Sequence, residues 1–151
     1  MSGQEVVTTD ALQHQFSPAV LNGIAEDALA IWGAENDLPQ FSIVWNKRLR
    51  TSGGRARLRE RVVELNPRLL AQNVDQVQPV LIHEMAHLVT AARYGRVAAH
   101  GKEWRELMSQ AGFEPRARHT MDVVDFYRPR LPRRHKASVT IIKRVFKRLI
   151  K

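Results

Sequence analysis

The chain of 151 residues contains no cysteine. Disulfides and thiolate-held metals are therefore excluded, and the absence favours an intracellular, cytoplasmic setting. Nor is there an apolar run near the ~18 residues a bilayer span requires, so a membrane partner is not expected. Met1 to Gln15 carries Glu5 and Asp10 but no basic residue and no apolar core segment, so it does not read as a secretory leader. Internal repeats and low-complexity stretches are also missing.

What is present fits one soluble domain. Hydrophobic residues make up 44% and charged residues 26%, enough for a packed core with an ordinary surface. Charge is unevenly spread. Residues 1–114 hold 12 Lys+Arg against 13 Asp+Glu, whereas residues 115–151 hold 12 Lys+Arg against only Asp122 and Asp125. The net excess of +9 thus comes from the last quarter of the chain, which points to a polyanionic partner for that segment.

Residues 1–16 show little periodicity and are expected to be a flexible lead-in. Ser17 and Pro18 suit a helix start. Val20, Leu21, Ile24, Ala28, Leu29 and Trp32 recur at helical spacing, with an end expected near Gly33 to Asn36. Phe41 to Trp45, Arg55 to Arg59 and Arg61 to Leu65 have strand character. Thr51 to Gly54 reads as a turn, and Asn66-Pro67 closes the run. These strands are expected to form a small, mostly antiparallel sheet. Asp75 is a candidate N-cap, and Pro79 falls in the first turn of a helix running to about Arg93. After a break at Tyr94 to Ala99, a second helix is expected from Gly101 or Lys102 to Ala111, with Gly112 just past its end.

The first of these two helices contains Ile82-His83-Glu84-Met85-Ala86-His87-Leu88, an H-E-x-x-H sequence. Residues four apart lie one turn apart on the same helix face, so two imidazoles can reach one ion. Glu84 flanks that ion without needing to bind it and can take a proton from a metal-activated water. The bland alternative is a pair of surface histidines beside a solvated glutamate. Two histidines leave the site incomplete, and a third protein ligand is expected. The extended H-E-x-x-H-x-x-G-x-x-H form is absent, since Thr90 and Arg93 stand at its last two fixed positions. His100, placed after a turn that can fold the chain back over the helix, is favoured. Glu103 and Glu106 are rivals, and His14, His119 and His135 are less well placed. Arg93, Tyr94 and Arg96 are candidate donors to an oxyanion.

Taken together these residues resemble the SprT-like domain, the zinc peptidase fold of Spartan-type proteases. That family pairs H-E-x-x-H with a downstream H-G-x-x-W, matched by His100-Gly101-Lys102-Glu103-Trp104 and extended by Met108. Trp45-Asn46 and the stretch from Gly54-Arg55-Ala56-Arg57 to Val63-Glu64-Leu65-Asn66-Pro67 also look like the family. The likeness runs from Val20 to Gly112. It implies a zincin-like α+β domain over residues 17–114, with helices packed on the small sheet. It implies one zinc ion held by His83, His87 and His100, with Glu84 catalytic. It further implies hydrolysis of a polypeptide substrate and, as in eukaryotic relatives, digestion of proteins crosslinked to DNA. Trp104 and Met108 would hold the His100 turn by packing. Many bacterial relatives carry a cysteine-based zinc ribbon at the C-terminus, which this chain cannot build.

The basic C-terminal extension, 115–151, can bind nucleic acid through phosphates without reading sequence, with Phe126 and Tyr127 available to stack on bases. A solubilising surface, or an amphipathic helix at 138–151 lying on an anionic membrane, would use the same residues. The rival to a peptidase is a nucleic-acid-binding module on the same fold that cleaves little or nothing.

Overall fold

A computed structural model describes residues 7–117. Its elements, in chain order, are α1 (Thr9–Gln15), α2 (Pro18–Trp32), β1 (Ser42–Trp45), β2 (Gly54–Arg57), β3 (Val62–Leu65), α3 (Pro67–Ala71), a 3₁₀ turn (Val74–Gln76), α4 (Val77–Tyr94) and α5 (Lys102–Gln110). The described chain is therefore α+β, with five α-helices and one three-stranded sheet. Expectations for the basic extension fall outside the described residues from 118 onward.

The N-terminal stretch is not wholly a loose lead-in. The Thr8 side chain accepts from the Ala11 N–H and starts α1. Its single buried residue, Leu12, is fully enclosed. Burial of one leucine contributes about 1.5–3 kcal/mol, and packing of α1 on α3 holds seven residues that would not stay helical alone. One apolar residue in a turn of polar ones carries no readable period, which is why the sequence hid this helix.

α2 begins as expected, with Ser17 accepting from the Val20 N–H and Pro18 in the first turn. It ends at Gly33, whose φ of 57° lets Gly33 and Ala34 donate to the carbonyls of Ala30 and Leu29. α5 ends similarly. Gly112, at φ 80°, donates to Ser109, and Phe113 donates to Met108.

The sheet is mixed, which corrects the expectation of a mostly antiparallel one. Its order is β1-β3-β2, with β1 parallel and β2 antiparallel to β3. The β2–β3 hairpin was legible, but the place of β1 was not. β3 is the most buried strand and takes the centre, leaving the half-exposed β1 and β2 as edges. The 46–53 connection must then pass over the end of β3. Asn66 anchors that connection. Its Nδ2 donates to the Leu49 and Ser52 carbonyls, while its Oδ1 accepts from the N–H groups of Arg68 and Leu69. So Asn66-Pro67 does not merely close β3; it opens α3.

On the outward face of the sheet, Glu64 accepts from Arg55 at 2.6 and 2.8 Å and lies 3.6 Å from Arg57. Burial would raise its pKa, but hydrogen bonds from Arg55 and Asn46 and the two guanidinium charges outweigh that and hold it below the ordinary 4.5. A depressed carboxylate stabilises the fold above its unfolded pKa and loses that contribution as pH falls through the folded value. Glu64→Gln is therefore expected to cost about 1 kcal/mol at neutral pH, a low figure because Arg55 is solvent-screened. The difference from wild type should shrink below pH 4.5. Urea denaturation at pH 7 and pH 3 measures both.

α4 is the central element. It packs on β2 and β3, on α2 and on α5, and is buried on nearly all sides from Val77 to Thr90. Its start differs in detail from expectation. Gln76 occupies the N-cap position with no side-chain cap, and Asp75 sits in the preceding 3₁₀ turn. No helix among the described residues is long and apolar enough to cross a membrane.

Candidate metal centre

α4 supplies His83, Glu84 and His87 from consecutive turns, and the chain then breaks at Gly95. The 95–101 connection returns His100 to the same place at the start of α5. Arg105 Nε donates to the His100 carbonyl and fixes that corner. The three Nε2 atoms converge. They are separated by 3.2 Å (His83–His87), 3.1 Å (His87–His100) and 3.3 Å (His100–His83).

Those distances test whether a metal fits. Ligand nitrogens at 2.0–2.1 Å from a tetrahedral zinc stand about 3.3–3.4 Å apart, close to the triangle observed. Three ring nitrogens pointing at one another cannot each find a proton to share, since a neutral imidazole has one donor and one acceptor. A cation at their common focus satisfies all three lone pairs. Burial pushes His87 down to about 4, aided by the charge of His100, and burial and the charge of Arg105 lower His100. Burial, the larger cause in each, favours the neutral imidazole, the form that ligates. His83, His87 and His100 could hold a metal ion. Among the described residues, the rivals Glu103 and Glu106 are not part of that group. His14 lies exposed on α1, and His119 and His135 fall outside the described residues.

Trp104 supports the triad. It is fully buried, its Nε1 donates to the His83 carbonyl, and its ring lies 4.8, 5.5 and 4.7 Å from those of His83, His87 and His100. The packing role expected of it is what the structure shows, and Met108 is buried in the same core. Trp32 Nε1 donates to the Leu107 carbonyl at 2.8 Å and ties α2 to the end of α5.

Glu84 is only 7% exposed and faces β2. Burial pushes its carboxyl up to about 7, partly offset by a hydrogen bond from the Ala56 N–H. Glu84, His83, His87 and His100 line one cleft of about 620 Å³, walled by Thr51 to Ala56, Leu58 and Ala99. One wall is therefore the connection that Asn66 anchors. Neither Asn66 nor Ala56 carries a motif; each contributes through long-range hydrogen bonds that spacing does not reveal.

The three candidate oxyanion donors are not at the cleft. Arg93 lies about 15 Å of helix rise beyond His83. It donates to Asp37 Oδ2 at 2.6 and 2.9 Å and to the carbonyls of Trp32 and Gly33. It clamps the end of α2 instead. Tyr94 and Arg96 are exposed.

Comparison with known proteins agrees with this geometry. The SprT-like family model matches residues 13–123. The chain is 34% identical to protein SprT of Shigella sonnei (strain Ss046) over 133 residues, covering 86% of this chain and 80% of that one. It is 35% identical to protein SprT of Salmonella arizonae over 127 residues, 82% and 76% of the two chains. With protein SprT of Escherichia coli O1:K1 / APEC it shares 40% over 90 residues, 58% and 54% of the two. No solved structure gives a significant match. With the matched span enclosing α2 through α5 and all three histidines, the chain belongs to the SprT-like family.

Proposed function

We propose that this protein is a zinc-dependent metalloendopeptidase with a zincin-like fold. His83, His87 and His100 hold the ion, and Glu84 acts as general base. The observation that carries this reading is the triangle of three Nε2 atoms, 3.1–3.3 Å apart, beside a buried carboxylate in an open cleft. When bound, the metal supplies Lewis acidity and lowers the pKa of water towards ~7. Glu84 accepts a proton at its carboxylate and returns it to the departing amine. Its buried position against the Ala56 N–H suits that exchange, because a base works best with a pKa near the working pH. The cleft favours an extended or unfolded polypeptide, and the absence of cysteine agrees with a cytoplasmic setting. The test is cleavage of a denatured, labelled polypeptide and of a DNA-bound protein by zinc-loaded enzyme, with a chelated control. Zinc-dependent cleavage is expected; no cleavage of either substrate would overturn the assignment.

A nucleic-acid role has its own support. Residues 47–68 hold eight Lys+Arg against Glu60 and Glu64. Lys47, Arg48, Arg50, Arg59, Arg61 and Arg68 are exposed, and none is in an ion pair among the described residues. Lys47, Arg48 and Arg50 lie on the connection whose end, from Thr51, walls the cleft, so together with the 115–151 segment these cations suit a phosphate backbone and substrates associated with or crosslinked to DNA. Arg48→Glu/Arg50→Glu is expected to weaken DNA binding and reduce the slope of log K against log salt by about 1 per lost phosphate contact. Fluorescence anisotropy over a salt series measures it. If neither this variant nor a chain ending at residue 114 alters DNA affinity, the nucleic-acid role falls. DNA binding without cleavage would leave the binding-module alternative standing.

A further inference from the structure

We infer that Gly54 is a positioning residue for Glu84, and that the free edge of β2, rather than α4 alone, fixes where that carboxylate sits. The inference rests on the general-base reading for its consequence but on packing for its argument. A Cβ at Gly54 would lie 2.8 Å from Val80 Cγ1, 3.0 Å from Glu84 Cγ and 3.2 Å from the Glu64 carbonyl oxygen. Val80 and Glu84 are one turn apart on α4 and present one face to the strand. The Glu64 oxygen is backbone of the central strand and cannot give way. Gly54 has no left-handed φ, so glycine is needed there for space and not for conformation.

The hydrogen-bond parity of the hairpin adds a second constraint. Asn66 donates to the Gly53 carbonyl at 2.8 Å. In the antiparallel register Arg55↔Glu64 and Ala56↔Val63, bonded and non-bonded pairs alternate. The amides of Gly54 and Ala56 therefore point away from β3, off the open edge. Ala56 spends its outward N–H on Glu84. The absent side chain at Gly54 lets the edge approach α4 closely enough for that bond. Glu84 Cγ thus occupies space that any side chain at Gly54 would contest, and its carboxylate accepts from Ala56.

The test uses the full chain with Gly54→Ala, Val80→Ala and the double variant. Val80→Ala removes the 2.8 Å clash but leaves those with Glu84 Cγ and the Glu64 carbonyl oxygen. The readouts are bound zinc, Tm, kcat and KM on the labelled polypeptide, and NMR exchange of the Ala56 amide. Gly54→Ala is expected to keep its zinc, lose some Tm and drop kcat by about 10- to 100-fold with KM nearly unchanged. The double variant should regain only part of the lost Tm, because the Glu64 carbonyl contact remains and the buried Val80 is truncated, and it should not regain kcat. In both variants Ala56 amide exchange should accelerate at least about tenfold, because Glu84 is its acceptor. If the double variant regains kcat along with Tm, Gly54 only packs and the inference fails. It fails equally if the Ala56 amide stays as protected as in wild type. Exchange needs neither metal nor turnover, so it decides the matter even if the wild type cleaves nothing, an outcome that would sink the peptidase reading alone.

Discussion

Glu84→Gln is expected to retain one zinc per chain and to lose about 10²- to 10⁴-fold in kcat, the usual contribution of a general base. The substitution is nearly isosteric. The glutamine carbonyl can still accept from the Ala56 N–H that Glu84 uses, so the residue should keep its place against β2. What disappears is the ability to take a proton. Because Glu84 lies outside the three-histidine group, metal content should be unaffected. Elemental analysis alongside steady-state kinetics separates the two. Loss of zinc together with activity would mean that Glu84 is a ligand. Undiminished cleavage would mean that another group is the base.

His100→Ala is expected to weaken zinc binding more than 100-fold, a larger loss than the 10- to 100-fold typical of residues that merely support ligands. Two nitrogens, 3.2 Å apart on one helix, remain, and a two-nitrogen site lacks the third protein ligand that catalytic zinc sites use. The fold should survive. His100 is only half-buried, and the anchor from Trp104 to α4 runs through the His83 carbonyl, not through His100. Glu103→Ala and Glu106→Ala should keep their zinc. Competition against a chromophoric chelator ranks the variants, and thermal melts of the metal-free proteins check that His100→Ala is folded. Zinc retained by His100→Ala and lost from either glutamate variant would reverse the assignment.

Legibility in the sequence followed the range of the interaction. His83, Glu84 and His87 were readable because a helix converts a spacing of four into a shared face. The caps at Ser17, Gly33 and Gly112 were readable because they depend on one residue and its neighbours. His100 could be favoured but not separated from Glu103 and Glu106 by spacing alone, since a connection of unknown path lies between it and His87; the resemblance narrowed the choice. The role of Arg93 is not legible, because nearness along the chain makes it a candidate for the cleft, while its partner, Asp37, lies 56 residues away. α1 went unseen because its packing rests on a single leucine.

Composition and short-range pattern determined that this is a cysteine-free chain with a nitrogen-ligand pair and a carboxylate on one helix, and with a strongly basic end. Tertiary structure alone decided that β3 lies between β1 and β2, that three Nε2 atoms meet within 3.3 Å, and that a β2 amide holds Glu84. The reason is physical. Helix faces and caps are fixed by bonds and sterics within a few residues, whereas strand order and the closing of a three-part site depend on which buried surfaces fill space together, a property of the whole packed core.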